Sequence, residues 1–309
     1  MNPANRSYLE IFNTIQFDKI EGHPNILIAA NFWDNERYMA AKTCYKFMRA
    51  IDNLIDDHKT INTEIAENER KQFSTQVDNW IKTIIEAEDH NPLKKELIET
   101  IDKFRIPFWP LEVFAKSMIY DIYHDGFPTI HDFIDYAGGA SVAPASIFLH
   151  LCGLSKQNDS YVEPCFDLKE ASTPCAIFSY LVHIIRDFQK DQLNHLNYFA
   201  DDVITKNNLT RDDLKNMAHG SPIKKGFRKL IEEYVELADM YRQKTYKTIQ
   251  DLRPCINARY QLSLEIIFNL YLMVFERINI GKGFFTTEEL NPTPEEIKKR
   301  VYNTILNFN

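Results

Sequence analysis

Five cysteines, Cys44, Cys152, Cys165, Cys175 and Cys255, leave the chain with an odd number of thiols and no CxxC spacing. That argues against a disulfide framework and against a zinc site of the usual spacing. Free cysteine behaves as a small hydrophobe, so reduced thiols filling the core of a cytoplasmic protein are expected. Long apolar runs are missing too. Even QLSLEIIFNLYLMVF is interrupted by Glu265 and Asn269, whereas a membrane-spanning helix needs about 20 apolar residues. The opening MNPANRSYLEIF has no basic stretch followed by an apolar run, so no secretory leader is read. These absences suit a soluble protein, with peripheral membrane contact left open. Clustered basic charge is also lacking: 36 Lys+Arg stand against 44 Asp+Glu, a net charge of −8. A nucleic-acid partner is therefore not expected, and an anionic substrate would need local cations or a metal. No alternating strand pattern, internal repeat or low-complexity tract occurs.

What remains is helical periodicity along nearly the whole chain, 44% hydrophobic and 26% charged. It predicts an all-α, single-domain helical bundle over residues 1–309. One long helix is expected over 26–58, others over 60–88 and from Pro92 to before Pro107, and a short one within 107–128. A helix opening after Thr129 runs into GGASVAPASIFLHLCG, where Gly138, Gly139 and Pro144 interrupt the pattern. Interior glycine and proline cost about 1 and 3 kcal/mol relative to alanine, so a kink or local unwinding is expected. Residues 153–160 read as a loop and 170–201 as a helix. Thr210-Arg211-Asp212-Asp213 has the pattern of a capping box. Further helices are predicted over 226–252, after Pro254 to about Ile280, and from Pro294.

Two stretches place acids where a core face would not want them. In Arg49-Ala50-Ile51-Asp52-Asn53-Leu54-Ile55-Asp56-Asp57, Asp52 and Asp56 leave one helix face a turn apart, with Arg49 beside them. Burying such a pair next to Phe47, Ile51 and Ile55 requires a compensating cation. Downstream, Asp187 and Asp191 repeat the spacing beside Arg186, and Tyr180, Ile184, Asp187 and Asp191 predict one continuous helix stripe. If the two helices face each other across a cavity, four carboxylates converge there. Hard oxygen ligands of that kind suit Mg²⁺, which takes few carboxylates, keeps waters and completes its shell with substrate phosphates.

The two phrases, RAIDNLIDD from Arg49 to Asp57 and HIIRDFQKD from His183 to Asp191, resemble the squalene/phytoene synthase family, which joins two prenyl diphosphates head to head. The resemblance covers about residues 20–280. It implies the isoprenoid synthase fold around an apolar cavity, with Asp52, Asp56, Asp187 and Asp191 as Mg²⁺ ligands. His183 is either a further ligand or a hydrogen-bond partner of Asp187, and Asp57 either a spare ligand or exposed. Arg49, Arg186, Arg37 and Lys190 form the candidate diphosphate-binding set. Tyr45 and Tyr136 stand where the family places tyrosines near the reacting carbons, to position diphosphate or accept a proton.

By the same resemblance the substrate is a prenyl diphosphate, farnesyl diphosphate first, condensed through a cyclopropyl diphosphate to a C30 or C40 hydrocarbon. NADPH is needed if the product is squalene, and the protein is a monomer or homodimer. Several positions depart from the family's phrases. His23-Pro24-Asn25 stands where a serine-rich phrase is usual, and Tyr180 and His183 stand where Gln and Asn are common. Lys190 replaces a frequent acid, and Asn197-Tyr198-Phe199-Ala200 lacks the expected Arg and Pro. Two other readings follow: a diverged member that cyclises one prenyl diphosphate or alkylates another acceptor, and a non-catalytic scaffold derived from the family.

Overall fold

The computed structural model describes residues 3–19, 24–61, 65–86, 92–158 and 160–308. Its helices are α1 (Pro3–Phe12), α2 (Pro24–Ala30), α3 (Asn35–Ile61), α4 (Glu67–Glu86), α5 (Pro92–Phe104), α6 (Trp109–Tyr123), α7 (Ile130–Ala137) and α8 (Ala143–Gly153). After them come α9 (Leu168–Arg186), α10 (Phe188–Leu193), α11 (Asp201–Lys206), α12 (Arg211–Ala218), α13 (Lys225–Leu252), α14 (Ala258–Phe275), α15 (Thr287–Leu290) and α16 (Pro294–Asn307). The all-α class expected from the periodicity is what the structure shows. Among the described residues no helix is long and apolar enough to cross a membrane.

Local sequence sets where these helices start. Thr129, Thr210 and Thr293 each accept a bond from the backbone three residues on, while Asp132, Asp213 and Glu296 return it. These reciprocal caps satisfy N–H groups that the helix leaves without partners. The single helix expected over 26–58 is instead α2 and α3, broken at 31–34, where the Asp34 carboxylate accepts from the Arg37 backbone N–H at 3.0 Å. The expected loop over 153–160 contains a small antiparallel hairpin, β1 (Ser155–Gln157) with β2 (Ser160–Val162), paired Ser155↔Val162.

Helix α9 is the central element, packed against α13, α8 and α14, while α3 packs on α5, α6 and α8. Its buried face is continuous: Ile177, Phe178, Leu181, Val182, Ile184 and Ile185 are all enclosed. Each such side chain contributes roughly 1.5–3 kcal/mol of burial free energy. Cys44 and Cys152 fill core as expected, but Cys165 and Cys255 are exposed.

The interruption at Gly138 is a widening of the helix, not an end. Residues 138–142 form a π turn in which the Ala143 N–H reaches back to the Gly138 carbonyl. Such turns occur as single-turn insertions within α-helices. The turn lies against α6 so closely that a Cβ on Gly139 would stand 2.0 Å from Ser117 Oγ and 2.4 Å from the Val113 carbonyl oxygen. Gly139→Ala is therefore expected to destabilise the protein by about 1–3 kcal/mol, the usual cost of overpacking. Denaturant unfolding of the variant against wild type measures this.

His150 on α8 is buried with Nε2 2.9 Å from the Phe104 carbonyl oxygen. A carbonyl only accepts, so Nε2 carries the proton and Nδ1 is left buried without a partner among the described residues. Burial lowers the imidazole pKa, outweighing the Phe104 bond and the charge of Glu163. The sign follows: the unfolded chain takes up this proton below about pH 6.5, while the folded state resists it. Stability present above that pH is lost as pH falls through the lowered folded value. Between pH 7 and 5 the urea midpoint of wild type should fall more steeply than that of His150→Gln.

Candidate active site

A cavity of about 570 Å³ lies between α3, α6, α8, α9, α13 and α14. Helix α3 lines it with Ala41, Cys44, Tyr45, Met48, Arg49 and Asp52, spaced as one face of a helix. The apolar members come first in the chain and the charged ones last. Helix α9 shows the same gradient, from Ala171 and Cys175 to His183, Ile184 and Arg186, continuing into Asp187, Lys190 and Asp191. Two lining hydroxyls are tied to the backbone: Ser179 of α9 bonds the Ala176 carbonyl at 2.8 Å and Thr245 of α13 the Tyr241 carbonyl at 2.8 Å.

Two of the lining acids, Asp52 and Asp187, have arginine partners. Arg49 hydrogen-bonds Asp52 one turn on. Arg186 grips Asp187 with two parallel bonds, Nε to Oδ1 at 2.8 Å and Nη2 to Oδ2 at 2.6 Å, the bidentate geometry that matches guanidinium to carboxylate. Burial works against the Arg186 charge, but the Asp187 bond and charge, with Tyr271 and Asp191 adding, raise its pKa overall. The second acid pair does not sit on one uninterrupted helix, as its stripe predicts. Asp187 has φ −92° and ψ 2° and joins α9 to α10. Its N–H still donates to the His183 carbonyl at 2.8 Å, and the Asp191 N–H to the Asp187 carbonyl at 2.8 Å. The two backbone bonds that flank the junction residue are thus kept.

The structure brings Tyr45, Tyr136, Arg49, Arg186, Lys190, Asp52, Asp187, Asp191 and His183 to one cavity. His183 packs on Tyr271 with ring centroids 5.0 Å apart. It does not bring Arg37 there. That side chain is buried, bonded to Asp34, the Leu154 carbonyl and the Tyr260 hydroxyl, with its guanidinium 4.3 Å from the Tyr260 ring centre. The side chains of Asp56 and Asp57, and His23, lie outside the described residues. Among the described residues no group of three or more His, Cys, Asp or Glu side chains stands close enough to hold a metal.

Three residues on or behind the cavity wall are absent from the sequence-derived set. Tyr180 and Tyr198, read there only as departures from the family phrases, line the cavity beside Tyr136. The Tyr180 ring stacks on Phe133 at 5.4 Å and lies 6.3 Å from Tyr136. Asp121 accepts the Tyr136 hydroxyl bond. Its signal was an acid on the core-facing stripe Phe114, Ser117, Met118, Asp121, Ile122 of α6. Burial foremost, then the Asp121 charge, pushes the Tyr136 phenol well above its usual pKa.

Comparison with known proteins gives a consistent picture. The chain superposes on a dehydrosqualene synthase crystallised with a ligand, over 98% of both chains at 14% identity and a TM-score of 0.72. It superposes on squalene synthase HpnC from Alicyclobacillus acidocaldarius over 88% of this chain and 93% of that one, at 16% identity and a TM-score of 0.66. YisP from Bacillus subtilis subsp. subtilis strain 168 matches over 96% of both chains at 15% identity and a TM-score of 0.59. These likenesses establish the fold. None of the curated proteins matches the chain in sequence. The squalene/phytoene synthase profile, however, matches residues 22–287, and with it the chain belongs to the squalene/phytoene synthase family of prenyltransferases.

Proposed function

We propose that this protein condenses two prenyl diphosphates, farnesyl diphosphate first, head to head through a cyclopropyl diphosphate to a C30 hydrocarbon. The observation that carries the reading is an apolar cavity lined by Arg49 and Asp52 from α3, Arg186 at the end of α9, Asp187 at the junction, and Lys190 and Asp191 from α10. Ionisation of an allylic diphosphate separates a carbocation from a polyanion, and these two products need opposite surroundings. Arg49, Arg186 and Lys190 would hold the anion as its charge develops. The aromatic wall of Tyr136, Tyr180 and Tyr198 would face the cation, which ring faces attract and water would quench.

The donor set fits Mg²⁺. Asp52, Asp187 and Asp191 present hard oxygens to the cavity, and Mg²⁺ requires only one or two carboxylates beside waters and substrate phosphates. When bound there, Mg²⁺ would neutralise the departing diphosphate. Asp56 would join these ligands by its place in the first phrase, and His183 would orient Asp187 or join them. Tyr45 would position diphosphate from α3. NADPH would enter only for a squalene product.

The test is purified protein with labelled farnesyl diphosphate and Mg²⁺, with and without NADPH. A C30 hydrocarbon supports condensation, and its dependence on NADPH separates squalene from dehydrosqualene. A C15 alcohol or cyclic product would establish the single-substrate reading, which the Tyr180 and His183 departures motivate. No turnover, with no Mg²⁺-dependent protection of the protein by a diphosphate analogue in a melting assay, would leave the scaffold reading.

Two substitutions divide catalysis from stability. Asp52→Asn and Asp187→Asn should each lower kcat by at least about 10²-fold, the scale of losing one electrostatic group at a reacting centre. Neither substitution should raise stability, because each acid already has an arginine partner. Asp187→Asn leaves Arg186, only 19% exposed, without its carboxylate and should cost about 1–3 kcal/mol. Asp52→Asn breaks a more exposed i,i+3 pair and should cost under about 0.5 kcal/mol. Activity assays and urea unfolding on both variants check the contrast.

A further inference from the structure

Tyr136 is held from two points by α6. Its backbone carbonyl accepts from Ser117 Oγ at 3.0 Å, and its hydroxyl donates to Asp121 Oδ2. Ser117 and Asp121 are four residues apart, so they occupy neighbouring turns of one helix face. The approach is possible because Gly139, at the start of the π turn after Tyr136, presents no Cβ to Ser117. The ring is thereby fixed on the cavity wall, while Asp121 is not among the residues lining the cavity. A carboxylate is an expensive partner for a buried phenol. A carbonyl or serine would have satisfied the hydroxyl at lower cost, which points to a use for the charge.

We propose that Asp121 acts through Tyr136 as the terminal proton acceptor of the condensation, a positioning residue that lets a neutral tyrosine serve as the base. The proposal rests on the condensation reading above. In that reaction the allylic cation, formed as diphosphate leaves the first substrate, adds across the double bond of the second. One C–H bond of the joined carbon then breaks, and its electron pair closes the cyclopropane ring. The hydrogen passes to Tyr136 Oη as the hydrogen already on Oη passes to Asp121 Oδ2. Tyrosine ends unchanged, Asp121 ends as the neutral acid, and its proton goes to water when the diphosphate departs.

A phenol that stays protonated cannot act as phenolate, so it can take a proton only by giving one up in the same motion. Burial and the Asp121 charge both keep Tyr136 in that protonated form. The Tyr180 ring 6.3 Å away supplies a neighbouring surface that tolerates the cation until the transfer occurs.

The experiment compares Asp121→Asn, Tyr136→Phe, the double variant and Asp121→Glu with wild type, on farnesyl diphosphate and Mg²⁺, scoring cyclopropyl diphosphate and hydrocarbon formed. Asp121→Asn should lower kcat by about 10²-fold or more with KM within about threefold, the size of a lost general base. The double variant should be no slower than Tyr136→Phe, and Asp121→Glu should recover part of the rate. An Asp121→Asn enzyme within about threefold of wild type, or losses that multiply in the double variant, would overturn the relay. Where Asp121→Asn does not fold, Tyr136→Phe removes the same hydrogen bond and leaves the acid in place; near-normal kcat in that variant overturns the relay equally. A wild-type enzyme making no condensation product counts against the function proposed above. An active wild type indifferent to Asp121 counts against the relay alone.

Discussion

A carboxylate facing an apolar cavity is tolerated only beside a compensating cation, and that constraint organises this molecule. Asp52 and Asp187 each turn onto an arginine from their own helix, so neither helix depends on the other to keep its charges neutral. The cavity between them can remain apolar. In the function proposed above, an arriving diphosphate would compete for the arginines and a divalent cation for the acids. The resting pairs keep charged groups in place without committing them to one another through deep burial.

The part of the wall that carries Tyr136 is built by a different device. Glycine at 139 and the π turn bring α7 and α8 against α6, and the same contact delivers Tyr136 to the cavity. A local loss of regular helix geometry thus positions a cavity-lining side chain, and π turns occur frequently at functional sites. Small residues weaken a helix in isolation, but here they allow an approach that a Cβ would block.

Much of this was legible in the chain. Asp52, Asp187, Asp191, Arg49, Arg186 and Tyr136 were readable because charged and small residues interrupt an otherwise apolar 3.6-residue rhythm, and the structure brings these six to one cavity. Helix starts at Thr129, Thr210 and Thr293 were readable from cap chemistry. Arg37 was not: its basic side chain on the same helix as Asp52 says nothing about which face carries it, and tertiary packing sends it to Tyr260 and Leu154. The junction at Asp187 was also hidden, because both flanking i→i−4 bonds survive it and the periodicity runs through unbroken. Asp121 went unread because one acid near a core stripe has no meaning until its partner's hydroxyl is located.

The seat of Arg37 carries a mechanical corollary. Near its beginning α3 is clamped to α14 and to the end of α8 through Tyr260 and the Leu154 carbonyl. The preceding turn is pinned by Arg259 on the Trp33 carbonyl at 2.8 Å and by Trp33 on Ser263 at 2.8 Å. At 1.5 Å of rise per residue, Asp52 lies about 22 Å farther along the same rod. A tilt of about 3° at the clamp would swing that carboxylate by roughly 1 Å, on the scale at which misplacement impairs catalysis. The cation that stands away from the cavity is thus the fulcrum of the helix that carries Asp52 to it.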